Sequence, residues 1–319
     1  MPHTARSSSP AEVQVLEVDE EHAGQRLDNF LIKKIKGVPK SRLYRLVRKG
    51  EIRINKGRRR VNYRLHAGDR VRIPPIRSSV RTAKRVKPAE LQWLLACVIY
   101  EDNGLIAINK PSGLAVHGGS GISMGLIEGL RQLYPKTRFL ELVHRLDRDT
   151  SGCILVAKKR AMLVALQAQL QQGQIDKRYL ALVRGEWGKA RTIKAPLERI
   201  SRPNGERWVQ VSESGKPARS RILTLKPHPL ATRVEIQLLT GRTHQARVHT
   251  AHEGHPIAGD QKYGDREFNA EMKKLGLQRL FLHARSLSFR HPQEHHQMKI
   301  EAPLSSDLEQ VLEKLDHAQ

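Results

Sequence analysis

Apolar residues recur at two different spacings along this 319-residue chain, and the change of spacing separates two regions. In the segment GQRLDNFLIKKI, residues Leu27, Phe30, Leu31 and Ile35 fall three to four apart, the repeat of one helix face. A second helix is predicted over 39–49, with Pro39 in its first turn, Ser41 as a candidate cap and Gly50 just past its end. On that helix Leu43, Leu46 and Val47 make one face, while Arg42, Arg45, Arg48 and Lys49 make the rest, a basic comb suited to phosphates. EIRIN and RVNYRL then read as short strands around a turn at Lys56-Gly57, and AGDRVRIPP as a turn entering an alternating strand.

From residue 91 onward the spacing is mostly that of strands. Strands are predicted at 98–100, 105–109, 153–158, 179–184, 218–225, 233–238, 280–289 and 297–302, and helices at 124–134, 161–172, 243–253 and 308–315. Strands dominate without a regular strand-helix alternation, so the fold class is α+β around a mostly antiparallel mixed sheet. The resulting division is a disordered tail at 1–12, a small module at 13–76, a basic linker at 77–90 and a large domain at 91–319. A body of this size buries roughly 75% of its unfolded surface.

Charge narrows the partners. Lys and Arg total 57 against 32 Asp and Glu, a formal charge of +25, which points to a polyanion and so to nucleic acid. The longest apolar run, 91–100, is far short of the ~20 residues that a spanning helix needs. Residues 1–12 lack the apolar stretch of a secretory signal, so a cytoplasmic protein is expected. Cys97 and Cys153 sit singly in apolar strand-like runs and are expected as reduced core residues, not metal ligands. His244, His249 and His252 share a helical segment, but Gln245 stands where a zinc-protease pattern needs Glu, so no metal is expected. The absence of a GxxxxGK[ST] loop argues against a nucleotide-driven enzyme of that class.

The chemistry-bearing stretch is FLELVHRLDRDTSGCILVAKK, in which apolar segments bracket the polar run HRLDRDTSG. Asp147 is flanked by Arg145 and Arg148, and nearby positive charge favours an ionised carboxylate able to act as nucleophile or base. By itself this is equally a salt-bridged loop aspartate. The whole string, however, resembles the signature of the RluA-type pseudouridine synthases residue for residue. INKPSGLAVHGG at 108–119, KRYLALVRGEW at 177–187 and LLTGRTHQARVH at 238–249 resemble the family's other motifs, in the same order. Residues 24–76 resemble the RNA-binding module first described in the fourth protein of the small ribosomal subunit.

The resemblance implies isomerisation of uridine to pseudouridine in large-subunit (23S) ribosomal RNA, free or within an assembly particle, by a monomer that needs no cofactor. It makes Asp147 the catalytic residue, Tyr179 the stacking partner of the target base, and Arg247 the arginine that pairs with the carboxylate, for which bidentate geometry is expected. Arg145 is implied to enter the RNA stack as the uridine leaves. Without the resemblance, Tyr179 reads as a core tyrosine and the two arginines as phosphate contacts. Three rivals stay open: a noncatalytic RNA-binding assembly factor, a glycoside hydrolase using Asp147 with Asp149, and a synthase acting on tRNA.

Overall fold

The two spacings fold into two units, Met1–Arg85 and Val86–Gln319. The computed structural model describes residues 12–35, 37–76, 88–118, 124–201 and 206–317. The expected tail up to residue 11 and the expected linker up to residue 87 lie outside the described residues.

The small unit contains β1 (Gln14–Glu17), α1 (Leu27–Lys34), α2 (Lys40–Arg48), β2 (Arg53–Ile54) and β3 (Arg70–Ile73), with an antiparallel sheet in the order β1-β3-β2. Leu43, Leu46 and Val47 of α2 are buried against Phe30 and Leu31 of α1, each contributing about 1.5–3 kcal/mol. That apolar stripe fixes the rotation of α2. It leaves Arg45, Arg48 and Lys49 exposed and Arg42 half-buried, around a shallow concavity. Buried Asp28 ties the two helices together by accepting from Arg26 (2.8 Å) and Tyr44 Oη (2.7 Å).

Two local expectations are corrected here. Pro39 is itself the N-cap of α2 and Ser41 lies inside the helix, whereas Gly50 does follow the helix end, at φ 72°. RVNYRL is not a strand, because its carbonyls serve the start of α1 instead of a ladder. Leu27 N–H donates to Tyr63 O (2.8 Å) and Asp28 N–H to Val61 O (3.0 Å), so the segment satisfies N–H groups that a helix start leaves open.

In the large unit a 3-10 helix at Pro88–Cys97 precedes β4 (Val98–Glu101), so Cys97 ends a helix and is not in a strand. Then come β5 (Leu105–Lys110), α3 (Leu126–Leu133), β6 (Glu141–Leu142), β7 (Ser151–Ala157), α4 (Arg160–Gln171) and β8 (Asp176–Arg184). After these follow β9 (Arg191–Lys194), β10 (Leu197–Ser201), β11 (Arg207–Val211), β12 (Arg219–Pro227), β13 (Ala231–Leu238) and α5 (Gln245–His252). The chain closes with α6 (Arg266–Lys274), β14 (Leu282–Arg290), β15 (Gln297–Glu301) and α7 (Ser306–His317).

Ten strands form one sheet in the order β4-β5-β7-β14-β8-β13-β12-β9, with β15 beside β14 and β6 beside β7. Among the described pairings only β7 with β14 is parallel, so the sheet is mixed and mostly antiparallel. β7 is buried along its whole length because both its faces are covered. Ile154 and Val156 join one apolar cluster, while Cys153, Leu155 and Ala157 join another.

Register sets the position of the site. Tyr179 of β8 lies opposite Ala284 of β14, and Ala284 lies opposite Gly152 of β7, so the three form one row across the sheet. Only glycine fits at the end of that row, since a Cβ on residue 152 would lie 2.3 Å from the Ala284 carbonyl oxygen and φ is +107°. Asp147 sits five residues before Gly152, near the same end of the sheet.

Candidate active site

The turn carrying Asp147, between β6 and β7, is held from within and from the loop after β5. Thr150 N–H donates to the Asp147 carbonyl at 3.2 Å and closes the turn. Gly113 N–H and the Lys110 ammonium each donate to the Arg148 carbonyl at 2.9 Å, and Ser112 Oγ donates to the Asp149 carbonyl at 2.7 Å. Lys110 is fully buried and gives its other hydrogens to the carbonyls of Pro111 (2.8 Å) and Leu114 (2.9 Å). Burial lowers its pKa to about 7, against the opposing charges of Asp149 and Asp147. The INKPSG string is therefore a clamp on the HRLDRDTSG turn.

The Asp147 side chain is one-fifth exposed and opens into a cavity of about 550 Å³ that Arg145, Tyr179 and Arg247 also line. This volume lies within the ~300–1,000 Å³ of small-ligand sites. Asp147 is the one carboxylate among the described lining residues. Asp149 instead pairs with Arg148 at 3.2 Å, so the paired carboxylates of a glycoside hydrolase are not assembled in this cavity. A larger open groove, about 830 Å³, includes Leu180, whose side chain leaves β8 on the opposite side from Tyr179. Its lining sets Glu301, Glu309, Glu313 and Asp316 against Arg233 and Arg285, an excess of acid that disfavours a polyanion.

The basic side chains nearest Asp147 are distant in sequence, not the adjacent arginines. Arg247 Nη1 lies 4.0 Å and His244 Nε2 3.8 Å from Asp147 Oδ2. The bidentate pairing expected between Arg247 and Asp147 is absent because the guanidinium fork is taken by Asp260. Arg247 Nε donates to Asp260 Oδ2 and Nη2 to Oδ1, both at 2.7 Å, with both side chains buried. Asp260 Oδ1 also accepts from the backbone N–H groups of Lys262 (2.9 Å) and Tyr263 (3.0 Å). Burial works to raise the Asp260 pKa, but the hydrogen bonds and charge of Arg247 prevail and hold it below its ordinary value. Asp260 therefore fixes the guanidinium, which presents its remaining edge to Asp147.

His244 caps α5 in the left-handed region, at φ 54°, which turns its ring toward Asp147. The Tyr263 hydroxyl accepts from Val209 N–H (3.0 Å) and is hydrogen-bonded to His244 Nδ1 (2.8 Å). That arrangement engages Nδ1 and leaves Nε2 facing Asp147. Burial lowers the His244 pKa more than Asp147 raises it. Gln245 steadies the preceding loop, its Oε1 accepting from Thr240 Oγ1 (2.7 Å) and Arg242 N–H (3.0 Å). His249 is engaged separately with Ser220 Oγ and the Ala195 carbonyl, both at 2.9 Å. Among the described residues no His, Cys, Asp or Glu group is arranged to hold a metal.

Tyr179 is 8% exposed, and burial, followed by the charge of Asp147, pushes its phenol well above the usual range. It presents a neutral aromatic ring to the cavity. Arg145 is exposed at the cavity, while Arg42, Arg45, Arg48 and Lys49 belong to the other unit. The sequence reading missed Lys110, Asp260 and Tyr263. The last two lie in PIAGDQKYG, a polar run behind an apolar one, the same signal that marked HRLDRDTSG. Among the described residues no helix is long and apolar enough to cross a membrane.

Residues 104–252 match the RNA pseudouridylate synthase family model, and residues 25–71 match the S4 domain model. The chain is 52% identical to ribosomal large subunit pseudouridine synthase C of Haemophilus ducreyi, over 98% of each chain. To the protein of the same name from Escherichia coli it is 51% identical, over 96% of this chain and 98% of that one. Among solved structures, human RNA pseudouridylate synthase domain containing 4 superposes with a TM-score of 0.60 at 27% identity, covering 72% of this chain and 96% of that one. A clamped turn presenting a lone carboxylate to an arginine and a buried tyrosine, together with half-identity over nearly the full chain, makes this protein a member of the RNA pseudouridylate synthase family.

Proposed function

We propose that this enzyme isomerises specific uridines of large-subunit (23S) ribosomal RNA, with Asp147 as its essential carboxylate. The observation that carries the reading is the lone carboxylate in a cavity shared with Tyr179 and Arg247. The reaction breaks the bond from ribose C1′ to uracil N1 and makes one from C1′ to C5. A proton leaves C5 and one is gained at N1, so no water, electron or cofactor enters the balance. Addition of Asp147 to the ring, attack at C1′ and removal of a ribose proton share one requirement, a positioned carboxylate in a shielded site. Tyr179 stacks on the extruded uracil, and Arg145 fills the place it leaves, offsetting an extrusion cost of a few kcal/mol. The protein acts in the cytoplasm as a monomer, on ribosomal RNA free or within an assembly particle. Mapping pseudouridines in ribosomal RNA and tRNA from cells with and without the gene tests this directly. Sites lost only from tRNA, or none lost at all, would refute it.

The exposed comb on α2 gives a second test. Replacing Arg42, Arg45 and Lys49 together with Ala is expected to flatten the salt dependence of RNA binding, each lost phosphate contact changing the slope by roughly 0.7 to 0.9. The measurement is log Kd against log salt concentration; an unaltered slope would make the comb an ordinary solvated face.

A further inference from the structure

Among the described residues of the large unit two lysines are more than nine-tenths buried, and they are satisfied very differently. Lys110 gives three hydrogen bonds of 2.8 to 2.9 Å to carbonyls, one for each hydrogen of its ammonium. Lys177 is 8% exposed, yet among the described residues its one hydrogen bond runs 3.4 Å to the Ile175 carbonyl. Among the described residues no carboxylate lies within ion-pair distance of it, and Asp176, next in sequence, spends its own oxygens on Arg178 (2.7 Å) and Gln237 (2.8 Å).

Strand geometry explains where this ammonium points. Lys177 and Tyr179 are two residues apart on β8 and so share a face, and both line the cavity that Asp147 opens into. Its neighbours there are the His144 ring, whose pKa burial and then Lys177 itself lower to about 4, and the turn after α4 around Gly173. The imidazole is neutral at working pH, and its Nε2 is already taken, accepting from Leu155 N–H at 3.2 Å. A buried ammonium with unused donors is costly unless something anionic arrives to meet it. Burial lowers the Lys177 pKa, only partly countered by Asp176, as expected of a cation held without its counter-ion.

We infer that Lys177 is a substrate-binding residue of this cavity, seated to take an anionic oxygen of the target nucleotide beside the base stacked on Tyr179. The inference rests on the proposed reaction for the identity of that nucleotide. Two oxygens share the chemistry: a phosphodiester oxygen, anionic from the start, and a uracil carbonyl oxygen, which gains negative charge only as the bond to C1′ breaks.

The test compares wild type with Lys177→Met and Lys177→Arg, using the full chain and a large-subunit ribosomal RNA transcript. Met keeps the length and removes the charge. A phosphate contact predicts a Kd for the Met variant weaker by about tenfold, with a salt slope smaller by roughly 0.7 and kcat little changed. A uracil contact predicts an unchanged Kd and a kcat lower by about 100-fold. The Arg variant should recover part of either loss. Because a buried, poorly partnered charge contributes no stability, the Met variant should melt at or above the wild-type temperature. The inference is overturned if Kd, slope and kcat all stay at wild-type values, or if the losses come with a lowered melting temperature that Arg does not restore. Binding needs no turnover, so a wild-type protein that makes no pseudouridine would refute the proposed reaction while leaving this contact to be judged by Kd and slope.

Discussion

Asp147→Asn is expected to abolish pseudouridine formation while leaving RNA affinity nearly unchanged. Asparagine fits the same space, so the turn closed by Thr150 and clamped by Lys110, Ser112 and Gly113 keeps its shape; every one of those contacts is made to backbone carbonyls. The substitution removes the charge and the basic oxygen that all three candidate routes need. A loss of at least about 10⁴-fold in kcat is expected for a residue of this kind. Affinity should change by less than about threefold, because phosphate binding belongs to the cations and a carboxylate in the cavity contributes nothing favourable to it. Release of tritium from RNA labelled at uracil C5 reads the reaction, and filter binding reads affinity. Product from the variant at within tenfold of wild type would remove Asp147 from the mechanism. A matching collapse of affinity would make the residue part of the RNA-binding framework instead.

How much of this was legible beforehand varied with the distance between interacting residues. The basic comb on α2 could be read because a helix face is written at a spacing of three and four, and Leu43, Leu46 and Val47 are buried as that spacing requires. The sheet strands were legible by the same local logic. β1, β6, β9, β10 and β11 were missed because none is longer than 5 residues, and α6 because its buried face has just Phe268 and Met272, offset by one turn. RVNYRL has the composition of a strand but is used to close the start of α1, which no periodicity encodes. At the site, the Asp147 turn announced itself as a polar run between apolar ones. The assignment of charges around it did not. Arg145 and Arg148 are adjacent in sequence yet make no ion pair with Asp147, while Arg247 and His244 reach it only because the sheet and α5 bring them there.

The largest effect after Asp147 is expected at Asp260, a residue with no contact to the reacting atoms. Asp260→Asn exchanges a charged oxygen of the Arg247 fork for an amide that faces donors, and strands a buried guanidinium. Removing one partner of a buried pair costs about 3 to 5 kcal/mol. For a unit of this size that is a drop of roughly 6 to 20 °C in Tm, at 2 to 4 °C per kcal/mol. Activity should fall further than stability explains. Arg247 would lose the anchor that keeps its free edge 4.0 Å from Asp147 and be drawn toward that carboxylate, and displacement of about 1 Å can cost 10²-fold in rate. The expected signature is a kcat lower by about 100-fold at a temperature where the variant is still folded, with KM changed far less. The effect of pH has a definite sign. The Asp260 carboxyl is held below its ordinary 3.8 in the folded protein, so its contribution is present above that value and is lost as pH falls through the folded-state pKa. The gap in Tm between wild type and variant should therefore be full at neutral pH and should narrow in acid below about pH 4. A gap that stays constant into acid, or a variant with wild-type kcat, would mean that the Arg247 fork is not what orients the edge presented to Asp147.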